Sequence, residues 1–156
     1  MKNKNLGFTL IELLVVVAII GLLVSVITVS LGNARLKSRD ARRLSDTQQI
    51  KSGLDIYYNI GSGYPDTASW NAAQSANGQL VCSGTPALKV PQDPINKGNP
   101  AYAYTYTQGG SSGNGCGSTV YSDYKIQFQT EGATGIGPAG TYWLSASKGI
   151  TSSDPF

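Results

Sequence analysis

The residues able to do chemistry in this chain are few, and they are not arranged for catalysis. There is no histidine, so the commonest general base and metal ligand is missing. Nine carboxylates and two cysteines, Cys82 and Cys116, remain. Asp93 and Asp123 are the pair one would test as a catalytic dyad, yet nothing in the sequence sets their spacing. Gly135-Ile-Gly-Pro-Ala-Gly140 has the letters of a dinucleotide loop. Such a loop needs a strand before it and a helix after it. Pro138 and the strand-like Thr141–Ala146 predict a turn instead. No cofactor and no metal set is expected, and the composition does not read as an enzyme's. One acid stands apart. Glu12 lies at the start of an apolar run, where a plain anchor has no use for a charge.

From Leu13 through Asn33 there is no charged residue, and fourteen positions are Leu, Ile or Val. At about −0.3 to −0.6 kcal/mol each, they gain roughly 4–8 kcal/mol on insertion, against at most ~3 kcal/mol for a carboxylate at the bilayer centre. Insertion is therefore favoured. The run exceeds the ~7–15 residues of a secretory signal, and no A-x-A site follows it. An uncleaved anchor fits the hydropathy equally well, so Glu12 is what separates the readings.

No proline follows until Pro65, and Asn33–Ile60 reads as a continuing helix, with Leu36, Leu44, Ile50, Leu54 and Tyr57 or Tyr58 near one stripe. Gly61-Ser-Gly-Tyr-Pro65-Asp66 then stops it. The basic cluster Arg35–Arg43 reads as a solvated helix face, with Arg39 and Arg43 repelling and Arg43 attracting Asp46. The sharper reading is contact with lipid head groups before assembly and with neighbouring subunits after it. A short helix is expected over Ser69–Ala76. Tyr102, Tyr104 and Tyr106 alternate on one face of a strand, Tyr124, Ile126 and Phe128 on a second, and Tyr142, Leu144 and Ala146 on a third. Gln108–Ser118, with five glycines, reads as a flexible loop between strands. The expected fold class is α+β: a long N-terminal helix packed on a small antiparallel sheet.

The segment Lys2-Asn-Lys4-Asn-Leu-Gly7-Phe8-Thr-Leu-Ile-Glu12-Leu13 resembles the leader and helix start of type IV pilins and type II secretion pseudopilins. The resemblance implies a leader 1–7 cut between Gly7 and Phe8 by a prepilin peptidase, and N-methylation of Phe8. It implies a transmembrane and filament-core helix over 8–32, an amphipathic half over 33–60 and a β-rich head over 61–156. Glu12 is then the assembly acid: its buried charge is compensated by the Phe8 ammonium of a neighbouring subunit, which fixes the axial register. Loss of Lys2 and Lys4 with the leader leaves ten basic and nine acidic residues. That balance argues against nucleic acid as the primary partner.

Leu54-Asp-Ile-Tyr-Tyr58, Gly63-Tyr-Pro65 and Val90-Pro-Gln-Asp-Pro94 resemble the head of the major pseudopilins. The chain departs from the family in two places. It has Val29 and no proline in the membrane helix, with Gly21 as the remaining weak point. Its carboxyl end also offers only Asp154, with Glu131 distant, where relatives bind calcium. In a head outside the cytoplasm, Cys82 and Cys116 are expected to form a disulfide; the alternative is two free thiols. The resemblance implies a self-assembling homopolymer anchored in the inner membrane with its amino terminus in the cytoplasm, then displayed as an extracellular or periplasmic filament. An assembly platform and an assembly ATPase are the further implied partners. The expected function is a structural subunit of a type IV pilus or related filament. The alternatives are a pseudopilin of a secretion or competence pseudopilus, and a monomeric membrane-tethered binding module.

Overall fold

The computed structural model describes residues 8–76, 78–95 and 102–156, with the backbone alone for 26–30. The leader with Gly7, and Ala101, lie outside the described residues. The chain divides into two units, Met1–Leu36 and Lys37–Phe156.

One helix, α1 (Leu10–Gly61), runs through the first unit and into the second. In the second unit its buried side chains are Asp40, Arg43, Asp46, Thr47, Ile50, Leu54 and Tyr57, with Gly53 and Gly61 buried as well. Steps of three and four residues keep most of these on one face. The lower part of this stripe is apolar and matches the expected Ile50, Leu54 and Tyr57. The upper part is polar: Arg35, Lys37 and Arg42 are exposed, as a solvated face requires, Arg39 is half-buried, and Arg43 departs from that reading by being buried. Arg43 is not paired with Asp46; its partners are Asp40, one turn earlier on α1, and Asp93 and Glu131 across the fold.

The helix stops at Gly61, and β1 (Tyr64–Pro65) follows. Asp66 then caps α2 (Thr67–Ser75), its carboxylate accepting the Ser69 amide at 2.6 Å. The cap explains why this helix starts two residues before the expected Ser69. A hairpin that the sequence reading did not include comes next: β2 (Gln79–Cys82) against β3 (Thr85–Lys89), with Leu80 opposite Leu88.

The main sheet is antiparallel and centred on β5 (Ser118–Thr130). On one side β5 pairs with β4 (Thr105–Gly115), placing Tyr106 opposite Ile126. On the other side it pairs with β1, Tyr64 opposite Tyr121, and with β6 (Gly140–Ser145), Phe128 opposite Tyr142. The edge strand β7 (Gly149–Thr151) sets Ile150 opposite Leu144. The expected flexible loop 108–118 is therefore a hairpin. Its ladder continues, with an irregularity between Gly109 and Ser112, to Gly115 opposite Ser118. The two residues left at the tip, Cys116 and Gly117, have φ of 53° and 76°, the left-handed pair that a two-residue hairpin turn requires. Glycines had suggested flexibility because they show no alternation; backbone pairing needs none.

The core joins the two layers. Ile50, Leu54 and Tyr57 of α1 meet Tyr104, Tyr106, Val120, Tyr124, Ile126, Phe128, Tyr142 and Leu144 of the sheet, with Trp70, Leu80, Leu88 and Val90 closing the margins. The fold is α+β, a long helix packed on an antiparallel sheet, as the sequence pattern predicted.

Candidate functional site

The amino-terminal segment is the first candidate. Every large apolar side chain from Phe8 to Val24 is exposed, from 48% at Val15 to 91% at Phe8. A helix apolar all round needs cover from lipid or from other helices. Among the described residues no helix is long and apolar enough to cross a membrane.

Glu12 performs a local task there. The Thr9 amide and hydroxyl donate to Glu12 Oε2 at 2.8 and 2.7 Å, and the Glu12 amide donates to Thr9 Oγ1 at 3.3 Å. This is a capping box, with Thr9 as N-cap and Glu12 as the third helical residue. Its T-x-x-E signature stands in the sequence, so Thr9 was findable from spacing alone. The side chain of Glu12 is exposed in the single chain. Its carboxylate is therefore presented on an apolar helix, and among the described residues its hydrogen-bond partner is Thr9.

The second candidate is an ionic cluster in the head. Arg43 is fully buried and bonded to three acids: Asp40 at 2.7 Å, Asp93 at 2.6 Å and Glu131 at 2.7 Å. Its guanidinium lies 5.1 Å from the Tyr102 ring centre. Burial opposes its charge, but the bonds to Asp93, Glu131 and Asp40 outweigh it and raise its pKa. Glu131 also accepts from Arg39 at 2.9 Å; that bond leads in lowering its pKa. Asp40 further accepts the backbone amides of Glu131 and Gly132. Asp46 receives the Tyr104 hydroxyl at 2.8 Å, and burial raises its carboxyl pKa despite that bond. These contacts tie α1 to the segment after β3 and to the end of β5. They bring Asp93 and Glu131, distant in sequence, to Arg39, Asp40 and Arg43 on one stretch of α1, which no spacing rule reveals.

The remaining predicted residues scatter. Cys82 and Cys116 are joined in a disulfide, with Cα atoms 4.6 Å apart. Asp93 and Asp123 share no partner among the described residues: the first holds Arg43, while the second accepts from Ser147 and from the Tyr124 amide. Asp154 is held by Lys125, and no group of three or more metal-ligating side chains gathers among the described residues. Thr134 and Gly137 bridge in a turn that leads into strand β6, not a helix.

The prokaryotic N-terminal methylation motif matches residues 2–28. The type II secretion system core protein G of Aeromonas hydrophila is 31% identical over 105 residues, covering 64% of this chain and 72% of that protein. The core protein G of Dickeya chrysanthemi is 36% identical over 67 residues, 43% of this chain and 44% of its own length. The type IV major fimbrial protein FimA of Dichelobacter nodosus is 40% identical over 55 residues, 35% of each chain. The chain thus spans less than half of several of the curated relatives it matches. No solved structure matches significantly. With the methylation motif in register and the Aeromonas match running well beyond it, the chain belongs to the type II secretion core protein G family of pilin-like proteins.

Proposed function

We propose that this chain is a structural subunit, cut between Gly7 and Phe8, N-methylated on Phe8, anchored in the inner membrane through residues 8–32 and polymerised into a filament of the type IV pilus class. The observation that carries this reading is a carboxylate, Glu12, set on a helix apolar on every side, five residues into the processed chain counting Phe8. Lipid first and neighbouring helices after assembly cover that apolar surface, and the new Phe8 ammonium of an adjacent subunit answers the acid. A prepilin peptidase, an inner-membrane platform and an assembly ATPase are the partners this life cycle requires.

The capping box sets the test. Glutamine also fills the third position of such a box, so Glu12→Gln keeps the helix start and removes only the charge. Both Glu12→Gln and Glu12→Ala are expected to be inserted and cleaved, with methylated Phe8 seen by mass spectrometry, while filament yield collapses. Normal filaments from Glu12→Gln would make Glu12 a cap and nothing more.

A second reading, a pseudopilus subunit of a secretion system, is favoured by the name shared by the relatives from Aeromonas and Dickeya. Shearing surface material from the source cells separates the two. Abundant sheared filaments of this chain mean a pilus, and confinement to the membrane fraction means a pseudopilus.

A further inference from the structure

Five aromatic rings form an unbroken series through the head. Trp70 stacks on Tyr106 with centroids 4.8 Å apart and planes within 16°. Tyr106 stacks on Tyr124 at 6.0 Å, and Tyr124 meets Tyr64 edge-on at 4.7 Å. Tyr64 meets Tyr58 at 5.0 Å, tilted by 42°. The inner rings are core, but Tyr58 is 42% exposed on α1, so the series opens to water at one end only.

A ring that loses an electron becomes strongly acidic, and the oxidation is trapped where its proton can leave. Inside the head it cannot leave. Trp70 Nε1 and Tyr124 Oη have no hydrogen-bond partner among the described residues, and Tyr106 Oη donates to the Pro65 carbonyl, which is not a base. An oxidised inner ring is therefore refilled from its neighbour. At the open end Tyr58 has water, and Asp55, one turn earlier on α1, places a carboxylate whose field reaches Tyr64.

We propose that Tyr58 and Tyr64 are a site of oxidative cross-linking, fed by the ring series, at which a one-electron oxidant couples the two phenols into an intramolecular dityrosine. Each phenol gives up one electron and its hydroxyl proton. The two phenoxyl radicals form a carbon–carbon bond between ring positions ortho to oxygen, and the hydrogens displaced there move to the oxygens. The link loses two hydrogens in all. With a peroxide as the ultimate oxidant, acting through a haem peroxidase, these two electrons and two protons convert the peroxide to two waters. The product staples α1 to β1 across the helix exit and spares Trp70.

The test uses the full chain in detergent micelles at low concentration, treated with a haem peroxidase and hydrogen peroxide. The expected product is a monomer lighter by two hydrogens, with dityrosine fluorescence and a Tyr58–Tyr64 linked peptide. Tyr58→Phe removes the link and speeds oxidation of the Trp70 peptide several-fold; Tyr102→Phe, outside the series, leaves the link intact. Links between other tyrosines, purely intermolecular products, or equal Trp70 oxidation in wild type and Tyr58→Phe would each overturn the proposal.

Discussion

Arg43 shows how one side chain sets the tolerance of the head to change. A guanidinium with no accessible surface is tenable only because Asp40, Asp93 and Glu131 surround it. Truncation to Arg43→Met leaves Asp40 and Asp93 without their cation, Glu131 keeping Arg39, and is expected to cost about 3–5 kcal/mol, read from urea unfolding of the full chain in micelles. Arg43→Lys should recover only part of this, because a single ammonium cannot reproduce the forked bond to Asp93. A loss under about 1 kcal/mol for Arg43→Met would mean that the cluster contributes no more than a surface ion pair.

The same cluster sets the acid response. Glu131 has its pKa held below the ordinary 4.5, first by the Arg39 bond, against a burial effect that its arginine neighbours outweigh. A folded value below the unfolded one gives stability that is complete above the unfolded pKa and lost as pH falls through the folded one. Asp46 works in the opposite sense. Burial raises it above 3.8, so its contribution is present at low pH and lost as pH rises through its folded value. On acidification the Glu131 contribution is therefore lost as pH falls below the ordinary 4.5, an acid limb that protonation of Asp46 partly offsets. Glu131→Gln should flatten that acid limb in melting temperatures recorded from about pH 6 to pH 3; an unchanged limb would assign it to other carboxylates.

At the scale of elements, the critical contact is where the exit of α1 meets the tip of the β4–β5 hairpin. A methyl group on Gly61 would stand 2.1 Å from Cys116 Sγ, and one on Gly115 would stand 1.9 Å from the Gly61 carbonyl oxygen. Gly61→Ala is thus expected to destabilise by about 1–3 kcal/mol through overpacking. Replacing both cysteines by alanine should cost about 4 kcal/mol, from a bridge spanning 34 positions. The two changes should not add, because removal of the sulfur makes room for the new methyl. A cycle of denaturation midpoints tests this, and strict additivity would mean that Gly61 does not answer to the disulfide. The contact also marks where sequence reading ends. Of the alternating tyrosines only Tyr106 lies in β4, which begins after Tyr102 and Tyr104, while Ile126 and Phe128 revealed β5, because side chains of period two face one core. Gly109–Gly115 carries almost no side chains, so half of β4 was invisible. Likewise Asp40, Arg43, Asp46 and Thr47 hid the upper helix stripe, since charged letters read as solvated until distant partners are known. The apolar amino terminus and Glu12 were legible because their meaning is local.

At the scale of the molecule, the two units have different needs. The side chains described from Phe8 to Val24 find no apolar cover in the single chain, whereas residues 37–156 own a core, a disulfide and the ionic cluster. Among the described side chains the first buried one along α1 is Asp40, and the described partners in the Arg43 cluster lie beyond Leu36. Removal of residues 1–36 therefore deletes the described surface that demands assembly and takes none of the head's core residues, disulfide or ion pairs named above. The fragment 37–156 is expected to be a monomer without detergent, to retain its disulfide, and to unfold within about 0.5 kcal/mol of the head transition in the full chain. Size exclusion with light scattering and parallel urea titrations check this. The full chain, by contrast, should associate on detergent removal. If the fragment aggregates or unfolds much more readily, then the amino-terminal segment supports the head as well as assembly, and the separation of anchoring from folding fails.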